Sequence, residues 1–217
     1  MGKVLENLKK EVHRAHLVLE KYNLVAYTSG NVSIRVDNNK VIIKPSGVPY
    51  DRFKPEDLVI VDLEGNKIEG DLKPSIDTAT HLYLYRNLDW VNSIIHTHST
   101  FIMVFAMMER SIPVLCTAHA DVFGDEIPLT EYASVGSEAI GKATIKVLNK
   151  SGVVILRKHG ALILGKSLED AIKKAIFAEE VAKASYFALA MENVKPLPSE
   201  EVRKLYNQYH TRYGQSK

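Results

Sequence analysis

One cysteine, Cys116, stands in 217 residues. A lone thiol closes no intrachain disulfide, so a secreted, disulfide-stapled design is excluded, and so is a structural zinc site built on cysteine. Excess charge of one sign is nearly absent: 28 basic residues against 26 acidic ones leave a net charge of +2. Duplex-binding proteins gather their basic residues on one face, whereas here they are spread along the chain, so nucleic acid is not the expected partner. Long apolar runs are missing as well. The longest, Phe101 to Met108, falls far short of the ~20 residues a membrane-spanning helix needs. Lys3, Glu6, Lys9, Lys10 and Glu11 interrupt the first apolar positions, a pattern unlike that of a signal peptide. Repeats, low-complexity tracts and linkers are absent too. The expectation is one cytoplasmic globular domain over residues 1–217, consistent with 46% hydrophobic and 25% charged residues.

What is present is an alternation of helical and extended patterns. Val4, Leu5, Leu8, Val12, Ala15 and Leu19 recur at helical spacing and predict a first amphipathic helix. Short β-branched runs follow at Val32 to Val36, Val41 to Ile43 and Val59 to Leu63, punctuated by turn residues, which predicts hairpins in a largely antiparallel sheet. A helix capped by Ser75 is expected through Leu88, then a buried strand to His98, a helix from about Thr100 to Met108 and a loop rich in small residues and prolines. Further helices are expected at Gly136 to Leu148, Leu168 to about Met191, and after Pro198. Two buried strands, Val153 to Leu156 and Ala161 to Leu164, flank Arg157-Lys158-His159-Gly160. Helices interleaved with hairpins predict an α/β fold, a layered α/β/α sandwich around that sheet.

The strand ending in His96-Thr97-His98 carries the chemistry. Alternate residues of a strand leave the same face, so both imidazoles point the same way. His159, on a tight turn between two buried strands, is the best candidate for a third nitrogen. Three histidines with an open position make the donor set of a catalytic zinc or related divalent ion, and the Asp77 carboxylate can complete the shell. The bland alternative is a pair of half-buried histidines satisfied by the backbone. His13 and His16 are expected at the surface or an interface, His81 behind the site, and Cys116 as a small buried apolar residue.

Several strings occur in a set order along the chain: Thr28-Ser29-Gly30-Asn31-Val32-Ser33, Lys44-Pro45-Ser46-Gly47, Lys73-Pro74-Ser75-Ile76-Asp77-Thr78, His96-Thr97-His98-Ser99, His119-Ala120-Asp121, His159-Gly160 and Tyr213-Gly214-Gln215. Together they resemble the class II sugar-phosphate aldolase and epimerase family, and within it the branch that epimerises L-ribulose 5-phosphate at C4. The resemblance implies a helix-flanked antiparallel sheet, a homotetramer with active sites between subunits, a sugar-phosphate substrate and a divalent metal, usually zinc. It implies His96, His98 and His159 as metal ligands with Asp77 adjoining. Gly30, Asn31, Ser46, Gly47 and Ser75 then bind phosphate and sugar oxygens, Lys44 adds charge, and Asp121 and Tyr213 form an acid/base pair, with the tyrosine reaching in from a neighbouring subunit.

Some positions discriminate within that family. Asp77 stands where aldolases usually carry glutamate, and His119-Ala120-Asp121 with the Tyr213-Gly214-Gln215 ending resembles the epimerases. Ile76 replaces a serine, the loop after Pro128 lacks an insertion common in epimerases, and the tail is shorter, features closer to the aldolases. Two other readings follow: a class II aldolase of the L-fuculose 1-phosphate type, and a non-catalytic assembly module like the adducin head. Retention of all three histidines argues against the last.

Overall fold

A computed structural model describes residues 2–192 and 194–215. The chain opens with helix α1 (Gly2–Lys21), then strands β1 (Asn31–Arg35), β2 (Lys40–Ile43), β3 (Val59–Asp62) and β4 (Lys67–Glu69). Helix α2 (Thr78–Asn87), strand β5 (Ser93–Thr97), and helices α3 (Thr100–Met108), α4 (Thr117–Phe123) and α5 (Ala139–Val147) follow. Strands β6 (Val153–Leu156) and β7 (Gly160–Gly165) precede the long α6 (Leu168–Met191) and α7 (Ser199–Arg212). The strands form one sheet in the order β4-β3-β2-β1-β5-β7-β6, every neighbouring pair antiparallel.

Side-chain alternation divides this sheet into two packed faces. Ile42, Ile60, Ile95, Ile155 and Ile163 meet α1, α3 and α6 through Leu19, Phe105 and Val181. Val41, Val59, Ile94, Leu162 and Leu164 meet α2 and α5 through Leu82, Leu84 and Ile140. With helices on both faces, every residue of β5, β6 and β7 is buried, which is why β6 and β7 read as unbroken apolar runs. Each such aliphatic side chain contributes about 1.5–3 kcal/mol on burial. Alanines 171, 175, 178 and 182 recur along one side of α6 and let it lie close to the sheet, and Ser167 caps it by accepting from the Asp170 amide. No helix among the described residues is long and apolar enough to cross a membrane.

Two expectations need correction, and one strand, β4, has no counterpart among the expected elements. Ser75 does not cap α2: that helix starts at Thr78 with Asp77 at its cap position. The segment before it is held extended, since Ser46 N donates to Lys73 O and Ser75 N to Lys44 O, and Ser75 O then accepts from Thr78 N to turn the chain into the helix. The loop after Met108 contains α4, whose seven residues are too few for helical periodicity to emerge. Strand β4 is a short, exposed, polar edge strand behind a register shift, with no apolar alternation to announce it.

Candidate metal centre and substrate cavity

His96 lies near the end of the central strand β5, in register with Asn31 on β1 and Leu162 on β7. His98 follows two residues on. His159 arrives on the β6–β7 turn, after Lys158 in a left-handed conformation (φ 60°), and its approach requires Gly160: a Cβ there would stand 2.2 Å from Thr97 O. The three imidazoles converge. Their ring centroids are 4.6, 4.7 and 4.9 Å apart, and one nitrogen from each lies within 4.8 Å of the other two.

The electrostatics suit a cation. His96 Nδ1 is 2.9 Å from Ala161 O, so this nitrogen carries the hydrogen and Nε2 keeps its lone pair, facing His98 Nε2 at 2.8 Å. Burial, reinforced by His96 and His159, pushes His98 down to about 4 against a weaker opposing pull from Asp77. Burial and His96 likewise push His159 to about 4, again opposed by Asp77. Both are therefore neutral at pH 7, as metal ligands must be. His159 Nδ1 is buried without a hydrogen-bond partner. The donor set, three imidazoles and no thiolate, fits a divalent ion with a coordination position left for substrate.

Asp77 is 9% exposed and lines the same cavity without belonging to the mutually close nitrogen group. Burial alone would raise its pKa, but His96, His81, the Asn31 amide and His159 outweigh that and hold it below the usual carboxylate range. His81 sits behind it as expected. It bonds Ser33 Oγ at 2.7 Å, and Ser33 Oγ in turn bonds Tyr85 OH at 2.8 Å.

The cavity encloses about 340 Å³. Gly30, Asn31, Lys44, Ser46, Gly47 and Ser75, all expected at the substrate, line it together with the three histidines. Gly30 is required by close approach, because a Cβ there would meet His96 O at 2.7 Å. Lys44, 1% exposed, is the unusual group: its Nζ is 3.1 Å from Val48 O and 3.3 Å from Thr28 O, lies over the Tyr50 and Phe53 rings, and has no carboxylate partner among the described residues. Burial lowers its pKa to about 8. Sequence reasoning missed Val135 in the lining, and no motif marks it. Ile76, known only as a departure from a serine, lines the cavity too and is exposed.

Asp121 and Tyr213 do not line this cavity. They meet each other's surroundings instead. Tyr213, 76% exposed, stacks on Tyr209 at 4.5 Å, and the Tyr209 phenol is pushed up by burial first, then by Tyr213 and Asp121. The pair thus belongs to an α4–α7 surface. His16 departs from its expected place at the surface or an interface. It is fully buried, with Nδ1 2.7 Å from Val12 O and Nε2 accepting from Val32 N at 2.9 Å. His13 is half-buried against Phe53 O, and Cys116 is half-buried beside the core at the start of α4.

Residues 10–186 match the profile of the Class II Aldolase and Adducin N-terminal domain. The chain belongs to this family. Among solved class II aldolase relatives, an L-fuculose 1-phosphate aldolase is 27% identical, with 94% of this chain and 96% of that one covered at a TM-score of 0.87. YgbL from Escherichia coli is 25% identical, with 94% and 99% covered and a TM-score of 0.83. An L-fuculose-1-phosphate aldolase from Thermus thermophilus, 23% identical over 88% and 98% at a TM-score of 0.75, shares the fold. Class II aldolases use a divalent metal, usually zinc, and the histidine cluster is where this member has the donors for one.

Proposed function

We propose that the protein is a divalent-metal-dependent aldolase that cleaves a ketose phosphate of the L-fuculose 1-phosphate type, with residues 1–217 acting as one cytoplasmic domain. The observation that carries this reading is the three-histidine cluster at the wall of a cavity that also holds a buried ammonium with no carboxylate partner among the described residues. Near full-length similarity to an L-fuculose 1-phosphate aldolase supports the substrate class.

His96, His98 and His159 would hold the ion, which supplies positive charge beside the ketone oxygen as electron density builds there. The remaining work falls to this chain's side chains. Asp77, ionised and oriented by Asn31, takes the proton from the C4 hydroxyl. The C4–O bond becomes a carbonyl, the C3–C4 pair moves toward C2, and Asp77 returns its proton to C3, giving a three-carbon ketone phosphate and an aldehyde and restoring the carboxylate. Lys44 and the Ser75 hydroxyl bind the phosphate. Ser75 Oγ accepts from Asn31 Nδ2 and Asp77 N, so its own hydrogen remains free to donate. Asn31 Oδ1, buried without a partner, can accept from a sugar hydroxyl.

A second reading is favoured by Asp121 and Tyr213: epimerisation of L-ribulose 5-phosphate to D-xylulose 5-phosphate, in which the cleaved aldehyde turns over and the bond re-forms on its other face. Each face needs its own proton donor. Asp121 and Tyr213 lie on one surface but outside their own chain's cavity, which supports a homotetramer in which they serve a neighbour's site.

Zinc-loaded protein incubated with each sugar phosphate decides between them. L-fuculose 1-phosphate should yield dihydroxyacetone phosphate and lactaldehyde. D-xylulose 5-phosphate from L-ribulose 5-phosphate, without cleavage of the first substrate, would replace the aldolase reading with the epimerase. His96→Ala should remove both bound zinc and turnover. An adducin-like assembly module would instead carry no stoichiometric metal.

A further inference from the structure

A larger cavity, about 690 Å³, opens at the other end of the sheet. His159 precedes β7 and Lys166 follows it, so the histidine cluster and this cavity lie at opposite ends of one strand, about 20 Å apart at the ~3.4 Å rise per residue of an antiparallel strand. We propose that this second cavity binds a nucleotide, its phosphates on the lysines and its base against the aromatic rings.

Four lysines from three separate segments converge there: Lys150 from the α5–β6 turn, Lys166 from the β7–α6 turn, and Lys173 and Lys174 from α6. Only Lys174 has an acidic partner, Asp170 at 3.1 Å. Lys150, Lys166 and Lys173 have none among the described residues. Two of the three are held by rings instead, with Lys150 Nζ 5.2 Å from the centre of Tyr206 and Lys173 Nζ 5.2 Å from that of Tyr209. Such contacts are weak at exposed sites, weaker than a charge-assisted hydrogen bond to phosphate, so an anion can recruit these ammonium groups. Positive groups brought together in a concave wall repel one another and focus a field that a polyanion relieves.

The rest of the wall selects among anions. Trp90 from the α2–β5 turn and Tyr206 from α7 line the same space, and flat rings favour a ligand with a π-face of its own. Inorganic phosphate or a sugar phosphate would leave that half of the cavity unused. The volume lies within the ~300–1,000 Å³ of small-molecule sites, which suits a mononucleotide rather than a strand.

Trp90 is the only tryptophan in the chain, so its fluorescence reports on this cavity directly. Full-length protein titrated with ADP or ATP should show a saturable change in emission, with adenosine, ribose 5-phosphate and pyrophosphate each binding at least tenfold more weakly. The double variant Lys150→Gln, Lys173→Gln should bind ADP at least tenfold more weakly with unchanged zinc content, whereas His96→Ala should lose zinc and bind ADP normally. No saturable change with either nucleotide, or an undiminished one in the double variant, would overturn the proposal. So would pyrophosphate binding as tightly as ADP, since the rings would then contribute nothing. None of these outcomes depends on which sugar phosphate the histidine cavity takes.

Discussion

The Asn31 side-chain amide donates to Asp77 Oδ2 at 2.7 Å while Asn31 itself sits in register beside His96. One side chain therefore ties the strand next to the first two histidines of the cluster to the start of α2, where the only carboxylate lining the cavity among the described residues stands. Leucine at this position fills similar space and cannot donate. Asn31→Leu should raise the Asp77 pKa, because a hydrogen bond to the ionised form is lost, and lower kcat/KM by about two orders of magnitude, as expected when a proton-transfer group is misplaced. Zinc content should not change. Wild-type kinetics in this variant would show that Asp77 needs no such anchor, or no role.

Much of this arrangement is legible in the sequence. His96 and His98 announce themselves by the two-residue period of a strand, and β6 and β7 by uninterrupted apolar runs that both helical layers require. Gly30 and Gly160 stand where a side chain would collide with the backbone of β5 or its end. Other features leave no local trace. The extended path that moves the α2 cap from Ser75 to Asp77 depends on Lys44 and Lys73 carbonyls accepting across the chain, a long-range pairing no window of sequence contains. His16 reads as one polar residue on an amphipathic helix. Only the central strand β1 brought against it, with a Val32 N–H beyond the end of the β2 pairing and in need of an acceptor, explains its burial.

That buried imidazole carries a pH dependence. Burial, ahead of the opposing Val12 carbonyl and smaller repulsions from Lys44 and His13, lowers His16 to about 3 from its ordinary 6.5. The unfolded chain takes up this proton first, so the stability from neutral His16 is complete above pH 6.5 and is lost as the pH falls. The loss is about 1.4 kcal/mol per unit until the folded group titrates. His81 and His119, each lowered mainly by burial to about 4, act in the same direction. Between pH 6.5 and 5, where carboxylates contribute little, urea denaturation should therefore show a steep decline. His16→Gln can keep both hydrogen bonds and should lower stability at pH 7 yet flatten this slope. An unchanged slope would mean His16 is protonated in the folded protein.

Lys44 gives the opposite limb. Its ammonium is present below about pH 8 and disappears above it, well before a free lysine at 10.5 would titrate, because burial disfavours the charge. If it binds the substrate phosphate, KM should rise as the pH passes 8. Lys44→Met should abolish that inflection and lower kcat/KM about ten- to hundredfold, the range for a lost charge-assisted hydrogen bond. The same variant should be more stable than wild type at pH 7, since it removes a buried cation that no carboxylate among the described residues offsets. Loss of stability together with unchanged KM would make Lys44 a structural clamp on the Thr28 and Val48 carbonyls.

Tyr213 stacks on Tyr209 in the neighbourhood of Asp121, and this surface is separate from the residues that line the histidine cavity. If it completes the cavity of a neighbouring subunit, two defective variants can repair one another. His96→Ala lacks the metal site but supplies an intact tyrosine, and Tyr213→Phe supplies the reverse. Subunits of the two, unfolded together and reassembled in equal amounts, form sites in four combinations, of which one pairs an intact histidine cluster with an intact tyrosine. Mixed oligomers should thus regain roughly a quarter of wild-type activity, while each variant reassembled alone regains none. The fraction distinguishes the arrangements: a tyrosine serving its own chain's cavity would give mixtures no better than the parents.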